Sequence, residues 1–149
     1  FYTMGTSSKK MIQITDKIKS KCPNFRLGVI SCSVQISDNR ADLWEEINAK
    51  IAELEIMETV SIAKIPTITA TRKAYKAFGK DPSRYRPSAE ALLRRVVKGK
   101  GLYKINNVVD LLNLVSLTTG YSIGGFDAAG NLAGAGGLGG AGDACRRNI

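Results

Sequence analysis

Histidine is missing from all 149 residues of the chain. Its absence removes imidazole metal ligands, the Ser-His and Cys-His catalytic pairs and the usual general base near neutral pH. Any chemistry falls to carboxylates, lysine, hydroxyls, thiols or backbone groups. Cysteine is scarce: Cys22, Cys32 and Cys145, an odd number without C-x-x-C spacing. Neither a disulfide framework nor a zinc site fits that pattern, so no metal is expected and a reducing, cytoplasmic setting is. No apolar run approaches the roughly 20 residues that cross a bilayer, so no membrane partner is expected. The first residues, Phe1-Tyr2-Thr3-Met4-Gly5-Thr6-Ser7-Ser8, lack the charged-then-apolar order of a signal peptide. Residues 1–10 are read as an appended remnant, with the natural chain beginning at Met11.

The length suits one compact domain with a real core, expected over residues 11–149. Apolar residues at 44% and charged residues at 23% give an ordinary globular balance. The net charge of +9 is unevenly spread. Residues 36–58 carry two basic and seven acidic side chains, whereas residues 59–104 carry twelve basic and two acidic ones. A basic middle of this kind attracts phosphate backbones, and solubility is the plainer alternative.

Met11 to Thr15 and Phe25 to Ile36 have the β-branched alternation of strands, with Asp16 to Lys21 between them as a short helical turn ended by Pro23. Ser37-Asp38-Asn39 supplies cap residues for a helix of about 18 residues with Leu43, Ile47, Ile51 and Leu54 on one face and Trp44 beside them. Asp42, Glu45 and Glu46 are read as its solvated N-terminus, where the dipole favours carboxylates. A second helix opens at Pro66 or Thr67 and stops at Gly79, with Ile68, Thr71, Tyr75 and Phe78 on one face and Arg72, Lys76 and Lys80 on another. Ser88 is expected to cap a third, to about Lys98, with Leu92, Leu93, Val96 and Val97 inward and Arg94, Arg95 and Lys98 outward. The fourth, Val108 to Thr119, is apolar nearly all round and reads as buried. Gly120 ends it, and Tyr121 to Phe126 reads as a strand.

Residues 129–142 contain seven glycines and four alanines. Two overlapping G-x-G-x-x-G matches there are rejected as a dinucleotide site, because no acidic residue follows about 20 positions later. No G-x-x-x-x-G-K-[ST] occurs, and no cofactor is expected.

Asn106-Asn107-Val108-Val109-Asp110-Leu111-Leu112-Asn113-Leu114-Val115, then Gly120, then Phe126-Asp127, resembles the signature of the B3/B4 domain in the β subunit of phenylalanyl-tRNA synthetase. Arg72-Lys73-Ala74-Tyr75, the run from Gly79 to Ser88 and Glu90-Ala91-Leu92-Leu93-Arg94-Arg95 are similar to the free-standing, single-domain branch of that family. The resemblance covers roughly residues 11–127. It implies an α+β domain with a β-sandwich-like core and flanking helices. It also implies tRNA or aminoacyl-tRNA as partner, and an aminoacyl-ester hydrolase (editing) pocket around Leu112, Asn113, Gly124 and Gly125. The synthetase has Thr where this chain has Leu112 and usually His where it has Gly124. The C-terminal strands of the family have no counterpart in the Gly/Ala-rich stretch, so that part is read as atypical or abbreviated. A non-catalytic RNA- or small-ligand-binding module that kept the fold is the alternative.

Arg72, Lys76, Lys80, Arg84, Tyr85, Arg86, Arg94 and Arg95 are the candidate RNA contacts. Guanidinium groups make bidentate phosphate contacts and a tyrosine stacks on a base. The competing reading is that Arg84 and Arg86 brace their loop against the acidic helix. Asn107 with Asp110 reads as a capping box or as ligand contacts, and Asn113 as a loop anchor or pocket residue.

Overall fold

The computed structural model describes residues 12–38 and 40–126. The expected remnant at 1–10, the proposed cap residue Asn39, the glycine-rich stretch and Cys145 lie outside them. The described residues form six helices: α1 (Asp16–Lys21), α2 (Ala41–Glu55), α3 (Thr59–Ile62), α4 (Pro66–Ala77), α5 (Ser88–Val97) and α6 (Asn107–Thr119). α2, α5 and α6 pack against one another, and α3 packs on α5.

The apolar spacing of each helix accounts for this arrangement. Leu54 of α2 meets Ile62, Ile68, Leu93, Val96 and Leu117, while Leu43, Trp44 and Ile47 form a second cluster nearer the start of α2. Ile51 and Leu102 touch both clusters and join them. Each fully buried aliphatic side chain contributes roughly 2 kcal/mol by area. α4 and α5 end in the same motif. Gly79 and Gly99 take φ of +72° and +68°. The amides that follow them, Lys80 and Lys100, then reach back to the carbonyls of Tyr75 and Arg95 at 2.9 and 3.1 Å.

The expected β-sandwich is corrected: among the described residues there is no strand at all. The segments at 12–15, 25–36 and 121–126 have strand-like composition but do not pair with one another. A strand exists only through a neighbour that takes its backbone groups, so β-branched alternation alone cannot make one. Leu27, Val29, Val34 and Ile36 are exposed, as is Ile30 at 91%. α6 also departs from expectation. It is not enclosed: Asp110, Ser116 and Leu117 face inward, but Leu111 and Val115 are exposed.

Three caps differ from the sequence reading. Arg40, not Ser37 or Asp38, stands at the N-cap of α2 and makes no side-chain cap bond. Asn106, one residue before Asn107, caps α6 by accepting from the amides of Val108 and Val109 at 3.1 and 3.0 Å. Ser88 does not cap α5; the Ala89 amide instead donates to the Ser122 hydroxyl at 3.4 Å.

Gly120 ends α6 at φ +70° against the start of α4. A Cβ there would stand 2.4 Å from Thr67 Oγ1, the hydroxyl that donates to the Thr119 carbonyl. Gly120→Ala is therefore expected to lose about 2 kcal/mol, combining left-handed strain with a displaced hydroxyl. Chemical denaturation followed by circular dichroism measures it, and an unchanged midpoint would refute the packing argument.

Candidate functional site

α5, α6 and the segment between them enclose a cleft of about 90 Å³. Ser88, Leu92 and Arg95 come from α5, Val109, Leu112, Asn113 and Ser116 from α6, and Leu102, Tyr103 and Ile105 from the connection, with Ile123 closing one side. Val109, Leu112, Asn113 and Ser116 line it together because they follow the i, i+3, i+4, i+7 spacing of one helix stripe. Their walls are apolar, and the polar groups are a few convergent ones. That is the make-up of a ligand site, although the volume lies well below the roughly 300 Å³ that encloses a whole drug-sized ligand. It holds a few waters or one small group.

Arg95 is fixed at the edge of this cleft. Its Nε donates to the Gly101 carbonyl at 2.9 Å and its Nη2 to the Lys100 carbonyl at 3.3 Å. Its guanidinium lies 4.1 Å from the centre of the Tyr103 ring. The left-handed glycines at 99 and 101 turn those carbonyls back toward α5, so the helix stop itself holds the arginine. On the far side, the Ser116 hydroxyl donates to the Tyr121 carbonyl at 2.7 Å. Gly125 abuts the site, since a Cβ on it would come 3.1 Å from Leu112 Cδ1. Gly124 neighbours the Phe126 ring instead.

The eight candidate RNA contacts fall into separate places. Arg72 and Arg94 converge on Glu90, which is fully buried. Arg72 Nη1 lies 2.9 Å from both carboxylate oxygens, and Arg94 Nε donates to Oε1 at 2.9 Å. Arg94 is therefore not an outward side chain but part of a buried bridge. Lys76 is exposed and, with Arg72, Lys73, Ala63 and Thr69, lines a shallow basic depression of about 210 Å³. Lys80 and Arg84 lie 5.7 and 5.5 Å from the centre of the Tyr85 ring, both within cation–π reach of it. Arg86 is exposed beside it. Arg95 belongs to the cleft.

Ser88, Tyr103 and Ser116 were not singled out as site residues by the sequence. Ser88 resembles a helix cap, and Tyr103 gives no local signal; only the meeting of α5 with α6 brings them together. Lys73 was legible as one more cation beside Arg72. Of the acidic cluster at α2, Asp42 is taken by Arg40, whose hydrogen bonds hold the carboxyl below its ordinary range. Asn107 reaches the 25–38 segment, and Asp110 accepts from the Trp44 indole at 2.7 Å and from the Ile105 amide at 3.1 Å. Among the described residues no cluster of three His, Cys, Asp or Glu side chains could hold a metal. No described helix is long and apolar enough to cross a membrane.

Residues 70–134 match the B3/4 domain family. The matched span takes in most of α4, all of α5 and α6, and the cleft between the last two. No curated protein and no solved structure matches the chain.

Proposed function

We propose, from the premise that this chain carries a B3/4 domain, that it binds tRNA and places the acceptor end at the cleft between α5 and α6. One observation carries the reading: the motif residues Leu112 and Asn113 line the same cleft as Arg95, while Lys73 and Lys76 offer cations on the basic surface of α4. In this arrangement exposed lysines hold phosphates as mobile point charges, and the cleft takes the smaller terminal group.

Hydrolysis of a mischarged aminoacyl ester would have limited means in this cleft. Its lining supplies two hydroxyls, one amide, one phenol and one guanidinium, and no carboxylate or thiol. A water held by Asn113 and Ser116 would add to the ester carbonyl with Arg95 facing the developing oxyanion; collapse then breaks the bond from the acyl carbon to the ribose oxygen, and the water's proton passes through solvent to that departing oxygen. The lack of a positioned base favours tRNA binding as the primary activity, with any deacylation slow.

Fluorescence anisotropy with labelled tRNA over a salt series tests the binding. Affinity should fall steeply with salt, and Lys73→Ala/Lys76→Ala should flatten the log–log slope by about two and weaken binding about tenfold near physiological salt. Absence of binding at low salt overturns the proposal. A deacylation assay on mischarged tRNAs, with Asn113→Ala as control, separates binding from hydrolysis.

A further inference from the structure

The eleven residues Leu27-Gly28-Val29-Ile30-Ser31-Cys32-Ser33-Val34-Gln35-Ile36-Ser37 carry no charge in a chain of net charge +9. Five of them are large aliphatic side chains, and all five are exposed. Such a stretch has the composition of a strand inside a sheet, and leaving it in water is costly. Asn107 tethers it. The Asn107 side chain accepts from the Ser37 amide at 3.0 Å and donates to the Gln35 carbonyl at 2.9 Å, and the Asn107 amide donates to the Ser37 carbonyl at 3.0 Å. These groups belong to residues 35 and 37, and so to one edge of an extended chain. With the segment extended, the amides and carbonyls of Gly28, Ile30, Cys32, Val34 and Ile36 would lie on the opposite edge. No described residue pairs with that edge.

We propose that this free edge is the interface between two copies of the chain, paired antiparallel about a two-fold axis at Cys32. Charge selects both the partner and the register. With the axis at Cys32, Arg26 of each copy stands opposite Asp38 of the other, and both residues are exposed. Everything between those two ion pairs is neutral. Ile30 then faces Val34 of the second copy and Gly28 faces Ile36, so the apolar side chains of the even-numbered face match across the junction. Moving the axis to residue 31 or 33 keeps the free edge but separates Arg26 from Asp38. Moving it by half a residue would require the edge that Asn107 occupies. A nucleic acid would find no cation in residues 27–37, whereas a second copy supplies the complementary charges at both ends. The result is an isologous contact that covers an otherwise adhesive edge.

Sedimentation velocity on the full chain over a concentration series is expected to show a reversible dimer. Ile30→Lys should give a monomer with unchanged helical circular dichroism, because that side chain is already 91% exposed. Arg26→Asp and Asp38→Arg should each weaken the dimer on the order of tenfold, and the double variant should recover it, because each reversed charge meets its reversed partner. With Cys22 and Cys145 changed to serine, mild oxidation should yield a dimer linked through Cys32. A monomer at every concentration, a dimer that survives Ile30→Lys, or a double variant that fails to recover overturns the proposal.

Discussion

Glu90→Ala is expected to lower the stability of the fold by about 3 kcal/mol, near the lower end of what breaking a buried ion pair costs. Glu90 is wholly buried, and its carboxylate takes three contacts of 2.9 Å from Arg72 and Arg94. It ties α4 to α5 across eighteen residues of sequence. The two arginine side chains are 22% and 23% exposed, so they can turn toward water once the carboxylate is gone, which limits the loss. Glu90→Gln keeps the shape and part of the hydrogen bonding and should lose about 2 kcal/mol. The informative control is Arg72→Met/Glu90→Leu/Arg94→Met. Replacing the whole group with apolar side chains should recover most of the loss, because the desolvation of three charges goes with the ion pairs. In a chain of this size the Glu90→Ala midpoint should fall by roughly 6–12 °C. A shift of less than about 3 °C would mean that Glu90 is not held as described. The bridge also bears on function. Arg72 is committed to Glu90, so its place in the basic depression is to shape the wall beside Lys73 and Lys76.

The difference between what was legible and what was not follows the reach of each interaction. α2, α4, α5 and α6 could be read because Leu43, Ile47, Ile51 and Leu54, or Leu92, Leu93, Val96 and Val97, repeat at the period of the helix that buries them. Gly79 and Gly120 marked two ends correctly, since a left-handed residue is a local demand. Short α3 has too few residues to show a period. The β-sandwich failed because Val29, Ile30, Val34 and Ile36 advertise a preference that only a distant partner can satisfy. The bond from Arg94 to Glu90, four residues apart, was readable as a helix pair. Arg72 joining the same carboxylate was not, and that contact turned two presumed surface cations into one buried bridge. The motif run from Asn106 to Val115 singled out Leu112 and Asn113, and both line the cleft. It could not reveal Arg95, Tyr103 and Ser88 across from them, because those come from another helix and its connecting turn.

Asp110→Ala is expected to cost a further large loss, about 3 kcal/mol, for a different physical reason. Asp110 is 1% exposed and satisfies two donors from elsewhere in the chain: the Trp44 indole N–H of α2 at 2.7 Å and the Ile105 amide at 3.1 Å. Alanine leaves both without an acceptor in a place that water does not reach, and each orphaned donor costs about 1–3 kcal/mol. The gain from no longer burying a carboxylate offsets only part of this. Asp110→Asn should fall between wild type and alanine, because one oxygen remains but the amide nitrogen cannot accept from a second donor. Trp44→Phe removes the donor instead. If the indole contact matters, the cycle of Trp44→Phe with Asp110→Ala should show a coupling of at least about 1 kcal/mol, and additive losses would sink the claim. Trp44 is the single tryptophan of the chain, so its emission reports on this contact directly. The spectrum should shift to the red in Asp110→Ala before global unfolding begins. The consequence reaches the cleft, because Asp110 holds Ile105, and Ile105 and Tyr103 form its wall. Under the tRNA-binding proposal, loosening that wall should weaken binding without changing the salt slope, since no phosphate contact is lost. Lys73→Ala/Lys76→Ala should do the reverse, flattening the slope while leaving the tryptophan spectrum in place. A flattened slope in Asp110→Ala would show that the wall and the phosphate surface are not separable, and that the acceptor-end placement is wrong.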